Sequence, residues 1–164
     1  MFKSSKSLAS KLTQTMVNQQ KKQQILKSFV DIYLVFLNNF LKVNNDANIE
    51  TLITMIEMLK KHNPKKIYEM WDMHIYKMYY DKISPNFDVE FWLLTDIECL
   101  MDIHCKQLNN YDAGQYRSVI IDMGKANQKI LYDQYSNNKQ HKPVVIDMMK
   151  NVVQLCKLCE LYNE

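Results

Sequence analysis

The sequence predicts an all-α protein, on three observations. Apolar residues recur at three- and four-residue steps through most of the 164 residues, which is the periodicity of an amphipathic helix. No stretch alternates apolar and polar residues for long enough to favour a strand, and the hairpin dipeptides Asn-Gly and Asp-Gly are both absent. Only 2 glycines and 3 prolines interrupt the pattern. We therefore expect about six to seven amphipathic helices, arranged as a bundle or as a short α-solenoid of helical hairpins.

The N-terminal part of the chain predicts two helices, over about residues 5–18 and about 20–43. In the first, Phe2, Leu8, Leu12 and Met16 fall towards one side when the segment is placed on a helix. The second has apolar residues at helical spacing, namely Ile25, Leu26, Phe29, Val30, Tyr33, Phe36, Leu37 and Phe40.

The middle of the chain predicts a helical hairpin. A third helix is expected over about residues 48–61, with Asp46 or Asn48 as its N-cap. The dipeptide at 63–64, Asn-Pro, both ends this helix and begins a fourth over about 64–82, because proline suits the first position of a helix.

The rest of the chain predicts a fifth helix over about residues 87–109 and a sixth over about 112–136. Two asparagines at 109–110 are expected to end the fifth helix, and Asp112 can cap the sixth.

The sixth helix contains residues that favour a break. Gly124 and Asn127 predict a turn or kink near 125–128. The polar stretch 136–142 is expected to form a loop, after which Pro143 begins the last helix.

Residues 48–71 and 112–135 are similar to each other without gaps. The identical pairs are Ile56 and Ile120, Lys61 and Lys125, Asn63 and Asn127, Lys65 and Lys129, and Tyr68 and Tyr132. As a repeat, each copy would be a helix, an Asn-centred turn and a second helix, which resembles the helical-hairpin repeats of organellar RNA-associated proteins, the octotricopeptide and related groups. The alternative is two amphipathic hairpins of similar composition.

The net charge of +3 is unevenly distributed. Residues 1–30 contain six lysines and no acidic residue, whereas residues 69–102 contain eight acidic residues and two lysines. We divide the chain into a basic arm, residues 1–19, and a single all-α domain, residues 20–164. The arm is expected to contact an acidic partner or a lipid surface through Lys3, Lys6 and Lys11.

The arm is also rich in serine and threonine, and this composition resembles a mitochondrial presequence, with lysine in place of the usual arginine. The alternative is a frayed basic arm or an ordinary first helix. No secretory signal is expected, because the start of the chain has no long apolar core. The most apolar stretch, residues 29–41, is interrupted by Asp31 and two asparagines, so we expect no transmembrane helix.

A second group of lysines brackets the predicted turn at residues 63–64. These are Lys60, Lys61, Lys65 and Lys66. With Tyr68 and Trp71 nearby, they could hold a phosphate backbone and stack bases. Lysine is a weaker phosphate reader than arginine, and Arg117 is the only arginine, so a solvated loop is the alternative.

The candidate metal and redox residues do not form a complete motif. Cys156 and Cys159 form a C-x-x-C in the last turns of a predicted helix, where a redox dithiol is not expected. A zinc site would need two further ligands, from Cys99, His104 and Cys105. We expect all four cysteines to lie in the core, and we expect no metal ion and no cofactor.

Two Asp-x-His motifs, at 72–74 and 102–104, suggest carboxylate–imidazole pairs. Residues two apart on a helix point in nearly opposite directions, so neither pair shares a face. The glycine-dependent phosphate loops and the Gly-x-Ser-x-Gly elbow cannot be formed from 2 glycines. No catalytic residue is therefore predicted, and the protein is expected not to be an enzyme.

The presequence-like start, the small size and a composition rich in Asn, Gln and Lys resemble lineage-specific accessory subunits of protist mitochondrial complexes, the respiratory chain or ATP synthase. This resemblance implies a non-enzymatic scaffold in the matrix or at the inner membrane, with other protein subunits as its partners. Two alternatives stay open: an RNA-contacting component of a mitochondrial ribosome or RNA-processing complex, and a small helical virion or host-interaction protein of a large DNA virus, in the cytoplasm or the virion.

Overall fold

A computed structural model describes residues 3–107, 114 and 117–164 and confirms the all-α prediction. Helices make up 89% of the described residues, which include no strand. The α-helices are α1 (Lys3–Val43), α2 (Ala47–His62), α3 (Pro64–Trp71), α4 (Lys77–Tyr79), α5 (Val89–Leu94), α6 (Ile97–Gln107), α7 (Arg117–Asn137) and α8 (Lys142–Asn163). A π-helical turn (Asp72–Tyr76) joins α3 to α4, and a 3₁₀ turn (Tyr80–Lys82) follows α4.

Helix α1 is the longest element and packs antiparallel to α8. The Lys22 ammonium lies over the Tyr162 ring, 4.9 Å from its centroid, and the Asn39 side-chain amide donates to Asn151 Oδ1 at 3.3 Å. The predicted break between residues 18 and 20 is wrong, since α1 is continuous from 3 to 43. Asparagine and glutamine at 18–20 do not stop a helix as glycine or proline would.

The core lies where α1, α3 and α8 meet. Phe29 of α1 is fully buried, and its ring makes edge-on contacts with Tyr68 and Trp71, at centroid distances of 5.8 and 6.1 Å. Leu155 and Cys159 of α8 belong to the same cluster and are also fully buried. Because α3 supplies two large rings to this cluster, the short α2–α3 hairpin is fixed against the long helix pair.

The predicted helix over 87–109 is interrupted, which corrects the sequence prediction. Helix α5 ends at Leu94, Thr95 is extended, and the Asp96 carboxylate accepts from the Glu98 N–H at the start of α6. The Gln128 side-chain amide donates to the carbonyls of Trp92 and Thr95, at 3.1 and 2.7 Å. A residue of α7 thus satisfies carbonyls that the end of α5 leaves unpaired.

The predicted turn near 125–128 does not form, because α7 is a continuous helix from 117 to 137. Gly124 instead lets α6 approach closely: a Cβ there would lie 2.9 Å from Ile97 Cγ2. Asn127 accepts a hydrogen bond from the Asn44 side chain at 3.0 Å. Since Asn127 is the counterpart of Asn63, the segments 48–71 and 112–135 do not share a helix–turn–helix structure, and the repeat interpretation is wrong.

The remaining boundaries follow the sequence closely. Asp46 caps α2, as predicted. The loop predicted over 136–142 is shorter in the structure, because α7 extends to Asn137 and α8 begins at Lys142. The predicted helix over 64–82 forms, but with a π-helical turn inside it. The expected break at 109–110 and the expected cap at Asp112 lie outside the described residues.

The two hydrogen bonds that Gln128 donates predict that this residue stabilises the fold. We expect Gln128→Ala to lower the free energy of unfolding by about 1–3 kcal/mol, because two hydrogen bonds are lost at a partly buried corner. Chemical denaturation followed by circular dichroism measures this, with the exposed Gln24→Ala as the control.

Gln128→Glu separates hydrogen bonding from packing. It keeps the size of the side chain but places a carboxylate, which cannot donate, against two carbonyl oxygens. We expect it to destabilise at least as much as Gln128→Ala. A Gln128→Glu variant as stable as the wild type would contradict the role given to these hydrogen bonds.

Candidate functional site

The N-terminal part of α1 extends beyond the other elements that the structure describes. Every residue from 7 to 24 is exposed, and Ile25, the next residue, is buried. Helix α8, which covers the rest of α1, ends at Asn163, opposite the turn of α1 that contains Lys22. We call residues 3–24 of α1 the overhang; they span about 33 Å, and the described side chains among them, residues 7–24, are all exposed.

The overhang presents an apolar stripe to solvent. Leu8, Leu12 and Met16 lie four residues apart on one side, with 62%, 58% and 60% of their surfaces exposed. Large apolar side chains in such a regular line are typical of a surface that packs against another helix or groove.

The overhang also has charge of one sign. Its lysines are Lys3, Lys6, Lys11, Lys21 and Lys22, and it contains no acidic residue. The side chains of Lys3 and Lys6 fall outside the described part of the chain. In the described ion pairs, no lysine of the overhang has an acidic partner. Lys11 and Lys21 are thus exposed and available to an acidic surface, whereas the exposed Lys22 also lies over the Tyr162 ring.

The second lysine group is less available than the sequence suggested. The Lys60 ammonium pairs with Asp31 at 2.6 Å and the Lys65 ammonium with Glu69 at 3.4 Å. Lys61 is exposed, and Lys66 lies at the edge of an apolar cavity.

The two rings expected to stack bases beside these lysines are not accessible. Tyr68 is 4% exposed and Trp71 is 9% exposed, because both rings pack against Phe29 in the core. Their ring faces cannot serve as the base-stacking surface that the sequence suggested, which corrects that part of the RNA interpretation.

Two histidines come together from separate elements, which the sequence did not predict. His74 lies in the π-helical turn and His104 in α6, and His74 Nδ1 is 2.9 Å from His104 Nε2. The imidazole planes are inclined by only 18°, with centroids 5.0 Å apart. Burial and the neighbouring His74 lower the pKa of His104, so the neutral ring is favoured.

The aspartates of the two Asp-x-His motifs have other partners. Asp72 is buried, and its carboxylate accepts from the Asn163 amide at 3.0 Å and from Lys77 at 2.8 Å. Asp102 pairs with Arg117. Neither carboxylate forms a described hydrogen bond with a histidine, in agreement with the opposite directions that a two-residue spacing predicts.

The cysteines divide into two groups, whereas the sequence analysis expected all four in the core. Cys156 and Cys159 are fully buried, Cys105 is partly exposed and Cys99 is exposed. Burial raises the pKa of Cys156 to about 11 and raises that of Cys159 as well. The thiolate is the reactive and metal-binding form, so burial and the raised pKa values disfavour reaction of these two thiols in the folded state.

An apolar cavity of about 240 Å³ lies between the helices, beside the core cluster. It is lined by Phe36, Trp71, Ile75, Phe87, Trp92, Leu93, Leu131, Val145, Met148, Met149 and Val152. Among the described residues, no group of three or more histidines, cysteines or acidic residues is placed to share a metal ion. No helix in this same part of the chain has the length and apolar character needed to cross a bilayer.

Comparison with known proteins found no matching family model, no similar curated sequence and no similar solved structure.

The different burial of the cysteines predicts their order of reaction with a thiol reagent. We expect Cys99 to react quickly in the native protein, because it is exposed. Cys156 and Cys159 should react only as the protein unfolds, since both are fully buried with raised pKa values. Time-resolved labelling with mass spectrometry measures this, and rapid native labelling of Cys156 or Cys159 would contradict the packing of α8.

The lowered pKa of His104 predicts a pH dependence of stability. The folded state binds fewer protons than the unfolded chain once the pH falls below about 6.5, the ordinary pKa of histidine. The free energy of unfolding should therefore be highest above this pH and decrease as the pH is lowered towards the folded-state pKa. His104→Gln should reduce this dependence between about pH 7.5 and 5.5.

The control for this measurement is His62→Gln, which changes an exposed histidine at the end of α2. It should retain the pH profile of the wild type. If His104→Gln and His62→Gln gave the same profile, the assignment of the pH dependence to His104 would be wrong.

Proposed function

We propose that the protein is a non-enzymatic subunit of a larger assembly and that the overhang of α1 attaches it there. The observation that carries this proposal is the unbroken exposure of residues 7–24 on a helix with an apolar stripe. In line with the composition of the arm, we propose a mitochondrial complex, of the respiratory chain or ATP synthase, as the assembly.

The physical support for attachment comes from the cost of leaving the overhang in water. A helix of this length has little stability on its own, and tertiary packing of an apolar face is what normally stabilises it. Covering Leu8, Leu12 and Met16 would contribute about 1.5–3 kcal/mol for each side chain that becomes fully buried. A partner that binds this stripe would therefore both order the helix and gain affinity from it.

The charge of the overhang defines the chemistry of the partner. Because its lysines are not balanced by acids, the complementary surface is an apolar groove with acidic residues along its rim. Such a rim would speed association and fix the orientation of the helix, while the stripe would supply most of the affinity. A second copy of the overhang is a poor partner, since it has the same sign of charge.

A non-enzymatic role is supported by the carboxylates and thiols that an enzyme could use, because they are held in ion pairs or buried. Asp72 and Asp102 are each held by a basic residue, and the thiols of Cys156 and Cys159 are buried with raised pKa values. The RNA-contacting alternative is weakened, because the rings of Tyr68 and Trp71 are buried.

The proposal requires that the overhang remain in the mature protein. If it served only as a targeting leader, its removal would leave the described core intact, since Ile25 is the first buried side chain among the described residues. The mass of the protein isolated from its native cells distinguishes the two roles. Loss of residues 1–19 from the assembled form would contradict attachment through the stripe.

The stripe predicts a specific loss of assembly. A variant with Leu8→Gln, Leu12→Gln and Met16→Gln should reduce incorporation of the tagged full-length chain into its native complex at least tenfold, as measured by native electrophoresis. The thermal unfolding temperature should remain unchanged, because these side chains lie outside the core.

The matched control also has three glutamine substitutions, but at positions outside the stripe. These are Ser10→Gln, Thr13→Gln and Asn18→Gln. All three positions are exposed, so the control helix has the same number of added glutamines but keeps its apolar line. We expect this control to assemble like the wild type. Equal incorporation of the stripe variant and the control would overturn the proposal.

A further inference from the structure

The apolar cavity beside the core cluster has a neighbour nearer the surface. A depression of about 340 Å³ lies next to it, and Phe87 and Met149 line both spaces. Both side chains are partly buried, and Phe87 belongs to the irregular connection between the 3₁₀ turn and α5. Met149 is unbranched and flexible, so its side chain adapts easily to a neighbouring group. These two side chains thus separate an inner cavity from an outer depression.

The inner cavity offers a ligand almost only apolar contacts. All of its lining residues have apolar or aromatic side chains, and only the indoles of Trp71 and Trp92 carry an N–H group. The Trp92 N–H donates to the carbonyl of Lys82 at 3.2 Å, and Trp71 Nε1 is buried. A charged group placed among these lining residues would lose its hydration without a polar partner in exchange. The inner cavity is therefore suited to a hydrocarbon chain.

The size of the inner cavity allows a ligand of several carbon atoms. Its volume is about 240 Å³. An apolar cavity of about 150 Å³ in a protein core remains dry and binds benzene. Packed protein interiors contain few voids larger than a water molecule, because side chains lose dispersion contacts at a void. A hydrocarbon chain in this cavity would supply such contacts.

The outer depression adds positive charge. Lys150 and Lys157 line it, and its lining residues include no acidic one. The two lysines are seven residues apart, which is two turns of α8, so they lie on the same side of the helix. Lys157 has no partner in the described ion pairs, and the Lys150 ammonium is 3.8 Å from Asp147 in an exposed pair of small strength. An anionic group in the depression is attracted by both ammonium groups.

We propose that the inner cavity and the outer depression together bind a single-chain amphiphile, a long-chain carboxylate. Its hydrocarbon chain passes between Phe87 and Met149 into the inner cavity, and its carboxylate stays in the depression near Lys150 and Lys157. A small anion would gain nothing from the cavity, and a neutral hydrocarbon would gain nothing from the lysines. This site contains no residue of the overhang and does not depend on the proposed attachment.

The test is a calorimetric titration of the tag-free, full-length protein with decanoate, below the concentration at which decanoate forms micelles. We expect one molecule per chain. Lys150→Gln combined with Lys157→Gln should weaken binding about tenfold or more, because the carboxylate loses both ammonium groups. Decanol has the same chain without the charge and should bind the wild type more weakly by a similar factor.

The matched control is Lys61→Gln combined with Lys66→Gln. It removes the same charge, but Lys66 lies at the edge of a different apolar cavity. Both control positions are exposed, so we expect this variant to fold and to bind decanoate like the wild type. Equal affinity of the two double variants would overturn the proposal, as would equal affinity of the wild type for decanol and decanoate.

A fluorescence measurement on the unaltered protein locates the hydrocarbon chain. The 2 tryptophans of the sequence, Trp71 and Trp92, both line the inner cavity, so their emission reports on its occupancy. Decanoate brominated at its terminal carbon should quench this emission until the site is saturated, because bromine quenches an indole that it contacts. Pentanoate brominated at its terminal carbon should quench much less, since its chain is too short to reach the rings from the depression. Absence of decanoate binding, or equal quenching by the two brominated acids, would contradict the proposal.

Discussion

The antiparallel packing of α1 on α8 is the constraint on which the rest of the structure depends. Phe29, Leu155 and Cys159 are fully buried at this contact, and the rings of Tyr68 and Trp71 in α3 close it from a third side. Such a cluster of interlocked side chains tolerates little change in register, because each ring must keep its edge-on contact. The alignment of the two long helices therefore determines which residues of α1 are buried.

The overhang follows directly from this alignment. Helix α8 ends at Asn163, opposite Lys22, and α1 continues N-terminally without any covering element among the described residues. Leu8, Leu12 and Met16 are thus exposed to water because α8 ends before it reaches them. This exposed line, with lysines beside it, is the feature on which the proposed attachment to a partner rests.

The same packing also creates the histidine pair. Asp72 is fixed to α8 through Asn163, which turns the following π-helical residues so that His74 lies against α6. The carboxylates of the Asp-x-His motifs pair with Lys77 and Arg117, and the two imidazoles are hydrogen-bonding partners of each other. One arrangement thus separates the acids from the histidines and leaves the two imidazoles hydrogen-bonded to each other.

The sequence by itself determined the helical class, the Asp46 cap, the α2–α3 boundary at Pro64 and the basic, apolar character of the arm, because these depend on residues close together in the chain. Only the tertiary structure decided the features that depend on distant residues. Gln128 donates hydrogen bonds to carbonyls at the end of α5, and Gly124 leaves room for the Ile97 side chain. His74 contacts His104, which lies 30 positions further along the chain. Local periodicity contains no information on these contacts, since they arise when separate helices pack against one another.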